Sequence, residues 1–124
     1  MTAARVGAPA GLWREPFTVV DGGLSTSLEE LGTRPEGELW TAQAVVERPE
    51  LIVAAHRRFV EAGAEVVITA SYQASVTGFV RAGLDEAAAR EALASTTELA
   101  RRSGAAFVAA SVGPYGAFLA DGSE

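Results

Sequence analysis

Three short apolar runs, "FTVV" at 17–20, "EVVITA" at 65–70 and "AFVAAS" at 106–111, recur at intervals of roughly 40 residues with helix-like sequence between them. Each has strand length and ends in glycine or polar residues, which reads as a buried strand. Strands separated by helices imply parallel pairing through right-handed crossovers. The pattern predicts an α/β chain built on three parallel strands.

The connecting segments carry start and stop signals of their own. "LSTSLEELG" predicts a helix of about two turns, with Ser25 or Thr26 as N-cap and Gly32 as its stop. "TRPEGE" reads as a loop, and "LWTAQAVVERPE" as a weaker helix ending near Glu47, because Arg48 precedes proline. "PELIVAAHRRFVEAG" is the clearest helix: Pro49 suits its first turn, Glu50 the positive end of its dipole, and Gly63 follows its last apolar residue. Ile52, Ala55, Phe59 and Ala62 share one predicted inner face. "SVTGFVRAG" and then "DEAAAREALASTTELARRSG" predict a further helix pair, the second capped by Asp85 and closed by Gly104. Residues 1–12, rich in Ala, Gly and Pro, read as a frayed lead-in, and "VGPYGAFLADGSE" as a closing loop.

Three strands are few for a parallel sheet, which is normally covered on both faces and would here leave two unpaired edges. The chain is therefore expected to be the opening part of something larger, such as a (β/α)8 barrel of about 250 residues, or to pair with another chain. A complete doubly wound domain fits less well.

Composition narrows the chemistry. The 124 residues carry a formal charge of −6, and all ten basic residues are arginines without a basic stripe, which argues against nucleic acid as a partner. The adjacent pairs Arg57/Arg58 and Arg101/Arg102 read as solvated helix faces. No cysteine is present, so neither a disulfide nor a thiolate metal site can form within these residues. The start lacks a continuous apolar signal region and no stretch has the length of a membrane span, so the expectation is a soluble cytoplasmic protein.

In parallel α/β folds ligands bind beyond the carboxyl ends of the strands. The loops to inspect are Asp21-Gly22-Gly23, "TASYQAS" at 69–75 and "SVGPYG" at 111–116. Together they offer a carboxylate, several hydroxyls, two tyrosines and glycines that let backbone groups approach a ligand. Simpler readings stand beside this one: the glycines serve a turn with positive φ, and Asp21 caps the following helix. Neither glycine cluster has the spacing of a phosphate-binding motif. The single histidine, His56, sits mid-helix beside Arg57, where packing or solvent contact fits better than metal ligation or base catalysis.

The segments "DGGLSTSLEELG", "LWTAQAVVERPELIVAAHRRFVEAGAEVVITASYQAS", "GLDEAAAREAL" and "SVGPYGAFLADGSE" resemble the homocysteine S-methyltransferase family from Phe17 onward. "ITASYQAS" and "SVGPYGAFLADGSE" resemble most the branch that uses S-methylmethionine or S-adenosylmethionine. The resemblance implies a (β/α)8 barrel that transfers a methyl group from a sulfonium donor to the thiol of homocysteine, giving methionine. It also implies a zinc ion, held by cysteine thiolates, that activates that thiol. By position, Asp21, Gly22 and Gly23 would hold the amino-acid end of homocysteine, and Tyr72 would line the same pocket.

The chain departs from the family in holding neither the Gly-Asn-Cys-like nor the Gly-Gly-Cys-Cys-like segment that supplies the zinc ligands. Residues 13–124 are accordingly expected to be a partial homocysteine-binding domain, cut before the zinc-ligand strands and inactive alone. The alternative is a non-catalytic homologue that self-associates through exposed strand edges or binds a small molecule. A different barrel enzyme of the aldolase or lyase kind would lack its expected lysine.

Overall fold

The computed structural model describes residues 10–12, 16–33 and 41–113. Five helices and two strands follow one another: α1 (Leu24–Glu30), α2 (Thr41–Glu47), α3 (Pro49–Glu61), β1 (Val66–Ile68), α4 (Val76–Arg81), α5 (Glu86–Arg101) and β2 (Phe107–Ala109). The strands are parallel, with Val66 opposite Phe107, Val67 opposite Val108 and Ile68 opposite Ala109. The α/β class and the parallel pairing agree with the sequence reading.

The expectation of three strands needs correction, because the described residues contain two. The run at Phe17–Val20 makes only an isolated parallel bridge, Val20 to Val66. The cause is local. The Val19 carbonyl accepts from both Glu65 N–H at 2.9 Å and Val66 N–H at 3.2 Å, so the ladder does not advance by regular steps. Val19 N–H turns to the Glu65 carboxylate at 3.4 Å, and the Thr18 hydroxyl donates to the Leu12 carbonyl at 2.6 Å. The register still carries Asp21 N–H to the Val66 carbonyl at 3.0 Å, placing residue 21 beside β1.

α3 is the central helix. It packs on α1, α2, α5 and β1, and Ile52 and Ala55 join Leu28, Val45 and Leu99 in the main apolar cluster. Burying a side chain such as Leu28 or Ile52 contributes roughly 1.5–3 kcal/mol. The predicted inner face shifts toward the helix start: Ile52, Val53, Ala55 and His56 are buried, whereas Phe59 is half-buried and Ala62 exposed. A second cluster forms where α4 meets α5, with Phe79 against Ala42 and Ala89.

Helix ends follow local chemistry with one exception. The Asp85 carboxylate accepts from Ala88 N–H at 2.8 Å, as expected, and Ser75 caps α4 through Gly78 N–H at 2.9 Å. α1 instead begins at Leu24, one residue before the expected cap, with Gly23 as N-cap and no side-chain cap hydrogen bond. Gly32, Gly63 and Gly104 take left-handed φ values of 86°, 109° and 88° beyond their helices. Among the described residues no helix is long and apolar enough to cross a membrane. The "TRPEGE" loop, apart from Thr33, and the closing loop beyond Gly113 lie outside the described residues, as do residues 1–9 of the lead-in.

Candidate functional site

A cavity of about 370 Å³ opens at the carboxyl end of β1, where the parallel sheet would place a ligand. Asp21, Gly22, Leu24, Thr41, Tyr72 and Ser111 are among the residues that line it. Of the four candidate residues, Asp21, Gly22 and Tyr72 thus meet at one cavity. Gly23 does not: it borders a separate one with Thr26, Arg58 and Phe59.

Asp21 is anchored across the sheet. Its Oδ2 accepts from Ile68 N–H at 3.0 Å, while its Oδ1 is buried without a hydrogen-bond partner. The side chain does not cap α1, so that simpler reading fails. Burial holds the Asp21 carboxyl above the ordinary aspartate range, against the lowering effect of the Ile68 N–H.

Gly22 and Gly23 do not serve a positive-φ turn; among the described residues that conformation is found at five other glycines. The need at Gly22 is space. A Cβ there would meet Cε1 of the Phe59 ring at 3.3 Å, tight enough that the ring would have to give by a few tenths of an ångström. At Gly23 the nearest atom to such a Cβ would be Thr26 Oγ1 at 3.5 Å, an ordinary contact.

A chain of hydroxyls fixes the rest of the rim. Ser71 Oγ donates to the Ser111 carbonyl at 2.7 Å, and Ser111 N–H donates to Thr69 Oγ1 at 2.9 Å. Thr69 and Ser71 oxygens lie 2.7 Å apart. Because the single Ser71 hydroxyl hydrogen goes to Ser111, Thr69 is the donor in that third bond. The loops after β1 and β2 are thereby tied together under the cavity. Tyr72 stands above them with half its surface exposed.

His56 takes the packed setting, one of the two that the sequence left open. It is wholly buried, and its Nδ1 lies 3.8 Å from Asp21 Oδ2. Neither ring nitrogen has a hydrogen-bond partner. Burial pushes its pKa down to about 4, so the ring is neutral at pH 7. The signal was the spacing of four from buried Ile52, which puts both residues on one helical face.

The residues present do not fit a zinc site. The chain has no cysteine, and the described residues contain no group of three or more metal-ligating side chains. The paired arginines do sit on exposed faces: Arg57 donates to the Arg102 carbonyl at 3.2 Å, and Arg58 pairs with Glu30.

The same segments match known proteins. A sequence profile described as homocysteine S-methyltransferase matches residues 18–124. The chain is 43% identical over 122 residues to the homocysteine S-methyltransferase of Escherichia coli strain K12, covering 90% of this chain and 39% of that protein. It is 41% identical over 123 residues to homocysteine S-methyltransferase YbgG of Bacillus subtilis strain 168, covering 88% and 39%. The crystal structure of the Escherichia coli homocysteine methyltransferase MmuM in its metallated form superposes with a TM-score of 0.76 at 44% identity, covering 86% of this chain and 41% of that one. The oxidised form gives 0.78, again at 44% identity, covering 86% and 40%. The chain spans about two-fifths of the length of these relatives. With a family profile matched over most of its residues and a fold shared with a solved member, the chain belongs to the homocysteine S-methyltransferase family.

Proposed function

We propose that this chain supplies the homocysteine-holding lip of a methyltransferase barrel, formed by residues 13–124, and that the whole protein transfers a methyl group to the homocysteine sulfur. The observation that carries the reading is the Asp21 carboxylate, anchored by Ile68 N–H at the cavity with its second oxygen unpartnered. The Asp21 side chain is closed to solvent, so a ligand ammonium reaches that oxygen only where the cavity wall opens to it; there it is the complement of the oxygen, and a charge-assisted hydrogen bond contributes about 1.5–3 kcal/mol. Gly22 presents its backbone beside the α-carboxylate of the amino acid, and Tyr72 covers its side chain; the same role for Gly23, which borders a separate cavity, rests on the family resemblance alone.

In the reaction a new bond forms between the homocysteine thiolate sulfur and the donor's methyl carbon. The donor's own carbon–sulfur bond breaks, its electron pair remains on that sulfur, and a neutral thioether leaves. The proposed donors are S-methylmethionine and S-adenosylmethionine. An activating zinc ion would need thiolate ligands, and these 124 residues hold no cysteine. The chain alone is expected to bind the amino acid and to form no methionine.

Calorimetry tests the reading with two ligands. L-Homocysteine should bind, and 4-mercaptobutyrate, which lacks only the amino group, should bind at least about tenfold more weakly. Equal affinity for the two would remove the role of Asp21.

The non-catalytic, self-associating reading is favoured by one observation: Phe17, Val19 and Val20 are 70%, 40% and 46% exposed beside β1. A discrete homodimer that binds no homocysteine would select it.

A further inference from the structure

We propose that His56 is a positioning residue for Asp21, its neutral imidazole donating from Nδ1 to the carboxylate from beneath and holding it toward the cavity. The inference rests on the reading of Asp21 as the acceptor of a ligand ammonium, and it assigns a role to a histidine with no other customer in the fold.

Two orphaned groups face each other. The side chains of His56 and Asp21 are 0% and 2% exposed, so solvent serves neither. Asp21 Oδ1 and both His56 nitrogens lack partners, although buried polar groups nearly always have one. Leaving a buried donor unpaired costs about 1–3 kcal/mol, and the approach of His56 Nδ1 to Asp21 Oδ2 points to a bond between the two residues. The separation of 3.8 Å is too long for a hydrogen bond and too short for water in line between the atoms. A shift of about 1 Å closes it.

The surroundings set the direction of the bond. Asp21 Oδ2 already accepts from Ile68 N–H, which fixes the carboxylate along β1 but leaves rotation about that bond open. A second donor from α3 removes that freedom. His56 is held in turn by its helix, with Ile52 and Ala55 buried beside it. Placing the ring proton on Nδ1 satisfies the one ring donor and leaves only the Nε2 lone pair unpaired.

Because His56 is the sole histidine, the ring nitrogens of 15N-labelled chain report on it alone. At pH 7 the expected state is neutral with the proton on Nδ1, and Asp21→Ala should return the proton to Nε2. A proton on Nε2 in the unsubstituted chain overturns the pairing, and this reading needs no ligand. Homocysteine titration then separates positioning from packing. His56→Leu should weaken binding at least about tenfold, while His56→Asn, which keeps a donor near the Nδ1 position, should stay within about threefold. Equal loss in both variants overturns the positioning role. If the unsubstituted chain binds no homocysteine, the functional reading falls, and the ring tautomer still decides the pairing.

Discussion

Nδ1 of His56 lies 3.8 Å from Oδ2 of Asp21, and the two side chains are closed to solvent while facing the end of β1. This pairing of a helix with a strand end links stability to the candidate site, and its first consequence is a pH dependence. His56 titrates near 4 in the fold and near 6.5 when unfolded, so between those values the unfolded state binds the proton that the native state refuses. Its contribution is therefore lost as pH falls from 6.5 toward 4. Asp21 acts in the opposite sense: its raised pKa makes the native carboxylate take up a proton first, adding stability in the window just above 3.8. Urea unfolding at pH 7 and pH 5 should show a loss of about 2 kcal/mol from the histidine, absent in His56→Leu. A loss of equal size in that variant would assign the effect to other groups.

The contact between Gly22 and the Phe59 ring predicts energetic coupling. Gly22→Ala forces the ring to yield by a few tenths of an ångström, whereas in a Phe59→Ala background the space is free. A double-mutant cycle in urea should return a coupling of about 0.5 kcal/mol or more. Additive effects would mean that the ring moves aside without cost.

Gly63 supplies a different test, because a Cβ there would touch nothing and only its φ of 109° resists a side chain. Gly63→Ala should destabilise by about 1 kcal/mol, read as a lower urea midpoint with unchanged slope.

The hydroxyl chain of Thr69, Ser71 and Ser111 should behave as a unit. Thr69→Val removes a donor and an acceptor from a buried network and should cost about 1–3 kcal/mol, while Thr69→Ser should retain most of the stability. Matching losses in the two variants would show that the methyl group, not the hydroxyl, matters.

What could be read from the sequence was local. Pro49, Glu50 and Gly63 mark α3, and Asp85 and Gly104 mark α5, because caps and stops act within a turn of their own position. The run at Phe17–Val20 reads as a strand by composition, yet ladder formation depends on the neighbour it meets, and Val19 offers one carbonyl to two donors of β1. That Asp21, Gly22 and Tyr72 line one cavity agrees with their places after apolar runs. The reason for Gly22 was not legible, since the Phe59 ring comes from a helix 37 positions later in the chain. For His56 the sequence left packing and solvent contact both open. Its neighbours Arg57 and Arg58 are exposed, while the spacing from Ile52 turns it inward, toward a carboxylate that only the parallel register brings near.

The central claim is that Asp21 receives the ammonium of homocysteine, and one titration addresses it. L-Homocysteine is added to the unsubstituted chain and to Asp21→Asn at pH 7, after matched unfolding curves confirm that both are folded. Saturable single-site binding that weakens about 10- to 100-fold in Asp21→Asn is the expected result, the equivalent of one charge-assisted hydrogen bond. Binding of equal strength in both proteins would contradict it.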